Sequence, residues 1–151
     1  MSVNKSGPGD ERLSGNCLCG AITFTVDADG GTVGACHCKM CRRWSGGVLL
    51  ALDSSNALQI DGEENLAIYK SSEWGERCFC KICGSNLFWR MQSSEHVSVM
   101  AGAINEEDQL TLGSQIFVDR KPGYFEFANE TSNLTEADIY AKYAAPNQST
   151  S

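Results

Sequence analysis

Cys17-Leu18-Cys19-Gly20-Ala21-Ile22-Thr23-Phe24-Thr25-Val26 sets two cysteines one residue apart, then a glycine, then Ile22, Phe24 and Val26 alternating with Thr23 and Thr25. A period of two sends successive side chains to opposite faces of a strand, so the stretch from Ala21 to Val26 predicts a half-buried β-strand. The strand follows this cysteine pair directly. Further short apolar runs stand at 48–52, 58–60, 66–69, 87–91, 97–101 and 115–118, parted by Gly, Ser, Asn and Asp clusters. This rhythm predicts a mainly β fold of short antiparallel strands.

Thr135-Glu136-Ala137-Asp138 has the form of a capping box, and Ala137, Tyr140, Tyr143 and Ala144 fall on one helical face. A short C-terminal helix is therefore expected. Residues 1–13 and 146–151 are polar and read as poorly ordered tails around one domain over 14–145. A chain of 151 residues can bury a core without disulfides.

No run approaches the roughly 18 apolar residues of a membrane helix, and the first residues lack a secretory apolar segment. The expected compartment is the cytoplasm, where thiols stay reduced, so eight cysteines point to metal or redox chemistry rather than disulfides. The sequons at Asn129, Asn133 and Asn147 then carry no sugar. The formal charge is −7, and binding two zinc ions through seven thiolates would take it to about −10. Such a surface repels phosphate backbones, so nucleic acid is not an expected partner, and without a long apolar run neither is a membrane.

The cysteines form three clusters: Cys17-Leu18-Cys19-Gly20, Cys36-His37-Cys38-Lys39-Met40-Cys41 and Cys80-Lys81-Ile82-Cys83-Gly84, with Cys78 just outside the last. A C-x-x-C pair can aim two sulfurs at one ion, and a following glycine permits the left-handed backbone that such turns use. A thioredoxin-type redox pair wants a βαβ context that these strands and turns do not offer. In an extended segment Cys36 and Cys38 share a face while His37 points away; Cys41, reached by the next turn, completes three thiolates and leaves one tetrahedral position open. Alternatively a cysteine from another cluster, such as Cys78, closes that site and both metals are structural. Cys78 could also be a small buried apolar residue.

Gly15-Asn16-Cys17-Leu18-Cys19-Gly20-Ala21-Ile22, Cys36-His37-Cys38-Lys39-Met40-Cys41-Arg42-Arg43 and the run from Arg77 to Phe88 together resemble the glutathione-dependent formaldehyde-activating enzyme family. The resemblance implies a zinc-containing β-tent fold with two zinc ions. Cys17, Cys19, Cys80 and Cys83 match its structural site, and Cys36, Cys38 and Cys41 its catalytic one. It further implies a carbon–sulfur lyase that takes glutathione as co-substrate and forms S-(hydroxymethyl)glutathione from formaldehyde, or reverses that step. Cys78 departs from the family pattern.

A thiol that binds zinc loses its proton and stays nucleophilic. Three anionic ligands weaken the ion as a Lewis acid, which favours holding a thiolate over polarising a carbonyl. Glutathione is anionic, so Lys39, Arg42 and Arg43 beside the catalytic loop are the candidate contacts, unless they only offset thiolate charge. Trp44 and Trp89 could line a pocket or sit in the core, and His37 and His96 receive no catalytic role. Two other readings stand beside the enzyme: a non-catalytic zinc-stabilised interaction module, with four protein ligands at each metal, and a sulfoxide reductase using Cys78.

Overall fold

The computed structural model describes residues 12–27 and 31–142. Their contacts divide into two compact units. One takes in the described residues up to Thr32 together with Ala51–Leu110; the other takes in Val33–Leu50 and the described residues from Thr111 onward.

The first unit holds two antiparallel sheets. Strands β1 (Arg12–Asn16), β2 (Thr23–Asp27) and β5 (Gln59–Asp61) form one, in the order β1-β2-β5, with Leu13 opposite Val26 and Phe24 opposite Ile60. The second sheet runs β4-β9-β8-β7-β6, from β4 (Leu49–Ser54), β9 (Val97–Met100), β8 (Asn86–Met91), β7 (Gly75–Cys80) and β6 (Leu66–Lys70). Ile22, Phe24 and Val26 are buried as the alternation requires, and Phe24 meets Phe88 edge-on at 5.9 Å. Burying such rings and branched chains is the main driving force for this unit.

In the second unit the strand order is β11-β10-β3, built from β11 (Ser132–Leu134), β10 (Thr111–Ile116) and β3 (Thr32–Cys36). The pair β10 and β11 is parallel, with Gln115 opposite Asn133. Helix α1 (Lys39–Ser45) follows β3, and a second helix, α2, begins at 136 and is described through 142. In its capping box the Thr135 N–H donates to Asp138 Oδ2 and the Asp138 N–H to Thr135 Oγ1.

The mainly β class with a C-terminal helix agrees with the sequence reading, but four details differ. β1 already includes Arg12 and Leu13, assigned above to the tail, because Leu13 is buried against the neighbouring strand. The remaining residues of that tail, and 146–151, lie outside the described residues. Lys39–Ser45 is a helix rather than a turn, with Cys38 as its N-cap. The strand expected at 115–118 instead spans Thr111–Ile116, because Phe117 takes a left-handed conformation (φ 56°) that ends it. Finally, Ile139 is the buried position of α2, while Ala137 and Tyr140 are exposed; Tyr143 and Ala144 lie outside the described residues.

Candidate metal centres

Two groups of sulfurs converge among the described residues: Cys17, Cys19, Cys80 and Cys83 in the first unit, and Cys36, Cys38 and Cys41 in the second. Within each group all the sulfurs lie within 4.8 Å of one another. In the quartet, Cys19 Sγ stands 3.7 Å from Cys17 Sγ and 3.8 Å from Cys80 Sγ. A tetrahedral zinc with bonds of about 2.3 Å needs sulfur–sulfur edges of about 3.8 Å, so this donor set fits the ion.

Local backbone explains the convergence. Cys17 to Gly20 and Cys80 to Gly84 both close on a left-handed glycine, Gly20 at φ 83° and Gly84 at φ 82°. The Gly84 N–H reaches back to the Cys80 carbonyl at 2.8 Å. Each turn then points main-chain N–H groups at sulfur: Ile22 to Cys17, and Ile82 and Cys83 to Cys80, each at 3.4 Å. Donors aimed at a sulfur stabilise its thiolate form. Ser85 ties the two turns together, its hydroxyl accepting from the Leu18 N–H at 2.9 Å and lying 3.2 Å from Cys83 Sγ. Sequence reasoning passed over Ser85, although its place directly after Gly84 was a signal that its polar atoms would face the turn.

Thiols packed this closely compete for ionisation. Cys83 falls to about 5, first through the Ser85 hydroxyl and then the Ser85 N–H. At Cys17 burial opposes ionisation, but the Ile22 N–H and neighbouring sulfurs outweigh it and the thiol is lowered. Cys19 goes the other way, to about 11: the Ala21 N–H lowers it, but burial and the other three sulfurs raise it more. A dication resolves this competition by neutralising several thiolates at once.

The triad grows from β3 and α1. Cys36 ends the strand, Cys38 caps the helix, and the Cys41 N–H donates to Cys38 Sγ at 3.3 Å. Helical geometry, rather than a free turn, therefore brings Cys41 back to Cys38. The Cys36 thiol is held far above its usual range, first by its interactions with the Cys38 and Cys41 sulfurs and then by burial. Among the described residues no fourth His, Cys, Asp or Glu donor joins the three. This set too offers soft sulfur ligands suited to zinc.

His37 is fully buried and belongs to neither sulfur group. Its Nε2 pairs with Gln115 Oε1 at 2.9 Å, and its ring lies 5.8 Å from Phe125 and 6.1 Å from Phe127. Gln115 Nε2 continues the chain to Thr131 Oγ1 at 2.9 Å, so the amide oxygen must accept from His37 Nε2–H. Lys39 and Arg43 are exposed beside the triad, whereas Arg42 is half-buried and donates Nε to the His37 carbonyl at 2.8 Å. Cys78 is completely buried outside both groups, and burial pushes its thiol up to about 11. That is the environment of a packing residue, not of an accessible redox thiol. Trp89 stands edge-on to His96 at 6.1 Å, and His96 Nε2 lies 3.7 Å from Asp53.

The sequence model of a family described as glutathione-dependent formaldehyde-activating enzyme matches residues 12–120. The chain belongs to that family. It is 31% identical over 129 residues to an uncharacterized lyase of Schizosaccharomyces pombe, covering 85% of this chain and 94% of the other. A Halomonas elongata protein provisionally named as a glutathione-dependent formaldehyde-activating enzyme is 34% identical over 85 residues, covering 50% of this chain and 54% of its own. A crystal structure of a Rhodobacter sphaeroides protein superposes with a TM-score of 0.54 at 26% identity, covering 66% of this chain and 96% of that one. Both cysteine groups of this formaldehyde-activating family member lie inside the matched segment. Among the described residues no helix is long and apolar enough to cross a membrane.

Proposed function

We propose that the chain is a zinc-dependent carbon–sulfur lyase that joins glutathione to formaldehyde, or splits such an adduct, with Cys36, Cys38 and Cys41 as the catalytic ligands. Cys17, Cys19, Cys80 and Cys83 hold a second, structural zinc. One observation carries the reading: three sulfurs converge in the triad and no fourth donor among the described residues completes the set. When bound there, zinc would favour the thiolate of an incoming thiol and keep it nucleophilic.

The chain's own groups do the rest. Cys38 anchors the first turn of α1, and Arg42 fastens that helix to the His37 carbonyl, so the three sulfurs hold their spacing. Lys39 and Arg43 supply exposed positive charge for the carboxylates of glutathione on an otherwise acidic protein. The thiolate sulfur adds to the aldehyde carbon, the carbonyl pair moves to oxygen, and solvent protonates that oxygen; cleavage reverses these steps.

Metal analysis and cobalt substitution test the reading. Two metals per chain are expected, with glutathione shifting part of the cobalt spectrum. Cys38→Ser should abolish that shift while far-ultraviolet circular dichroism stays unchanged. Four-sulfur spectra at both metals, indifferent to any thiol, would instead identify a zinc-stabilised interaction module.

A further inference from the structure

Strand β6 forms an open edge of its sheet: it pairs with β7 on one side and, among the described residues, with no strand on the other. Hydrogen bonds at both ends of the pair fix which backbone groups face outward. The Lys81 N–H donates to the Asn65 carbonyl at 2.9 Å, and the Ser71 N–H to the Gly75 carbonyl at 3.2 Å. Bonded positions alternate along an antiparallel ladder, so Ala67 and Tyr69 bond to Phe79 and Arg77 opposite them. Leu66, Ile68 and Lys70 therefore turn their N–H and C=O groups away from β7. The Cys80 N–H follows the same alternation, since it passes over Leu66, its opposite residue, and donates to the Ser85 carbonyl at 2.9 Å.

Proteins usually blunt such an edge with proline, a bulge or inward-pointing charge, because a row of open donors and acceptors is a template for another strand. β6 reads Leu66-Ala67-Ile68-Tyr69-Lys70, keeps an unbroken register with β7, and leaves Ile68 51% and Tyr69 64% exposed. Its one charge, Lys70, stands at the end of the strand, whereas Glu63 and Glu64 stand just before its start.

This layout is complementary to itself. When β6 of a second copy runs antiparallel with Ile68 opposite Ile68, Leu66 of each copy faces Lys70 of the other, and every outward N–H and C=O of the three residues finds a partner. The two exposed isoleucines meet, Tyr69 of each copy covers Ala67 of the other, and Lys70 of each arrives beside the Glu63-Glu64 end of the other. We propose that β6 is a self-pairing surface through which two copies of this chain join their sheets about a two-fold axis at Ile68. A strand this short buries little area, so the dimer is weak, with a dissociation constant in the micromolar range.

Amide hydrogen exchange and sedimentation equilibrium of the zinc-loaded chain test this. At a concentration about ten times the dissociation constant, the Leu66, Ile68 and Lys70 amides should exchange roughly tenfold more slowly than in dilute protein, while those of Ala67 and Tyr69 stay slow throughout. Ile68→Pro removes an outward N–H and no bond to β7, so it should weaken association at least about tenfold while the melting temperature stays within about 3 °C of wild type. Ile68→Thr keeps that N–H and should weaken association less. A wild type that stays monomeric at every concentration overturns the proposal and leaves the edge to an extended segment of another protein. A dimer that forms without slowing these three amides also overturns it, because association then uses another face. Neither measurement involves glutathione, so the proposed lyase function stands or falls separately.

Discussion

Cys78 and Cys80 offer a controlled comparison, because both lie in β7, both are fully buried and only Cys80 belongs to the quartet. Truncating either to alanine deletes the same buried thiol, so the packing losses largely cancel between the two variants. If the quartet holds zinc as proposed, Cys80→Ala also takes away one of its four sulfurs, and loss of the ion would open the loop between Cys19 and Cys80, 61 residues apart. By the chain-entropy relation for cross-links, closing a loop of that length is worth about 4 kcal/mol. Domains are stable by only about 5–15 kcal/mol, so this is a large share. For a chain of this size about 4 kcal/mol corresponds to roughly 8–16 °C in melting temperature. Scanning calorimetry of zinc-loaded protein should show Cys80→Ala melting below Cys78→Ala by about that interval. A strong chelator should lower the Cys78→Ala variant more than the Cys80→Ala variant. Equal melting temperatures for the two would refute the claim that the quartet clamps the fold.

Other outcomes follow from the second unit. Gln115→Leu leaves His37 without its hydrogen-bond partner and should cost about 1–3 kcal/mol in urea unfolding; no loss would mean the pair contributes nothing. Thr135→Ala removes the N-cap of α2 and should cost about 1 kcal/mol by the same measurement. Asp138 is held below its usual carboxylate range by the Thr135 N–H and hydroxyl, so its contribution is complete above its unfolded pKa and lost as the pH falls through the lower folded value. Asp138→Asn should flatten that part of the stability–pH curve, and an unchanged curve would exclude it. Arg43→Glu should weaken glutathione binding with a reduced salt dependence, while Arg42→Ala should lower stability first because Arg42 is tied to the His37 carbonyl. Identical binding isotherms for Arg43→Glu and wild type would remove Arg43 from the site.

Local patterns determined much of this protein. The alternation after Cys19 dictates β2, the glycines after the outer cysteine pairs dictate their turns, and Thr135 with Asp138 dictates the start of α2. These features depend on neighbours within a few residues, where steric limits and hydrogen bonding act directly. β1, β3, β7 and β11 escaped that reading because their residues are small or polar and become strands through pairing with distant chain. β7 even buries Arg77, which no local hydropathy pattern announces. For the site, the motif spacing was enough to nominate seven cysteines, but only tertiary structure brings Cys19 within 3.8 Å of Cys80 and separates Cys78 from both groups. Sequence names the residue types able to hold a metal, whereas folding decides which of them meet, since convergence across sixty residues is set by packing and strand pairing rather than by local chain geometry.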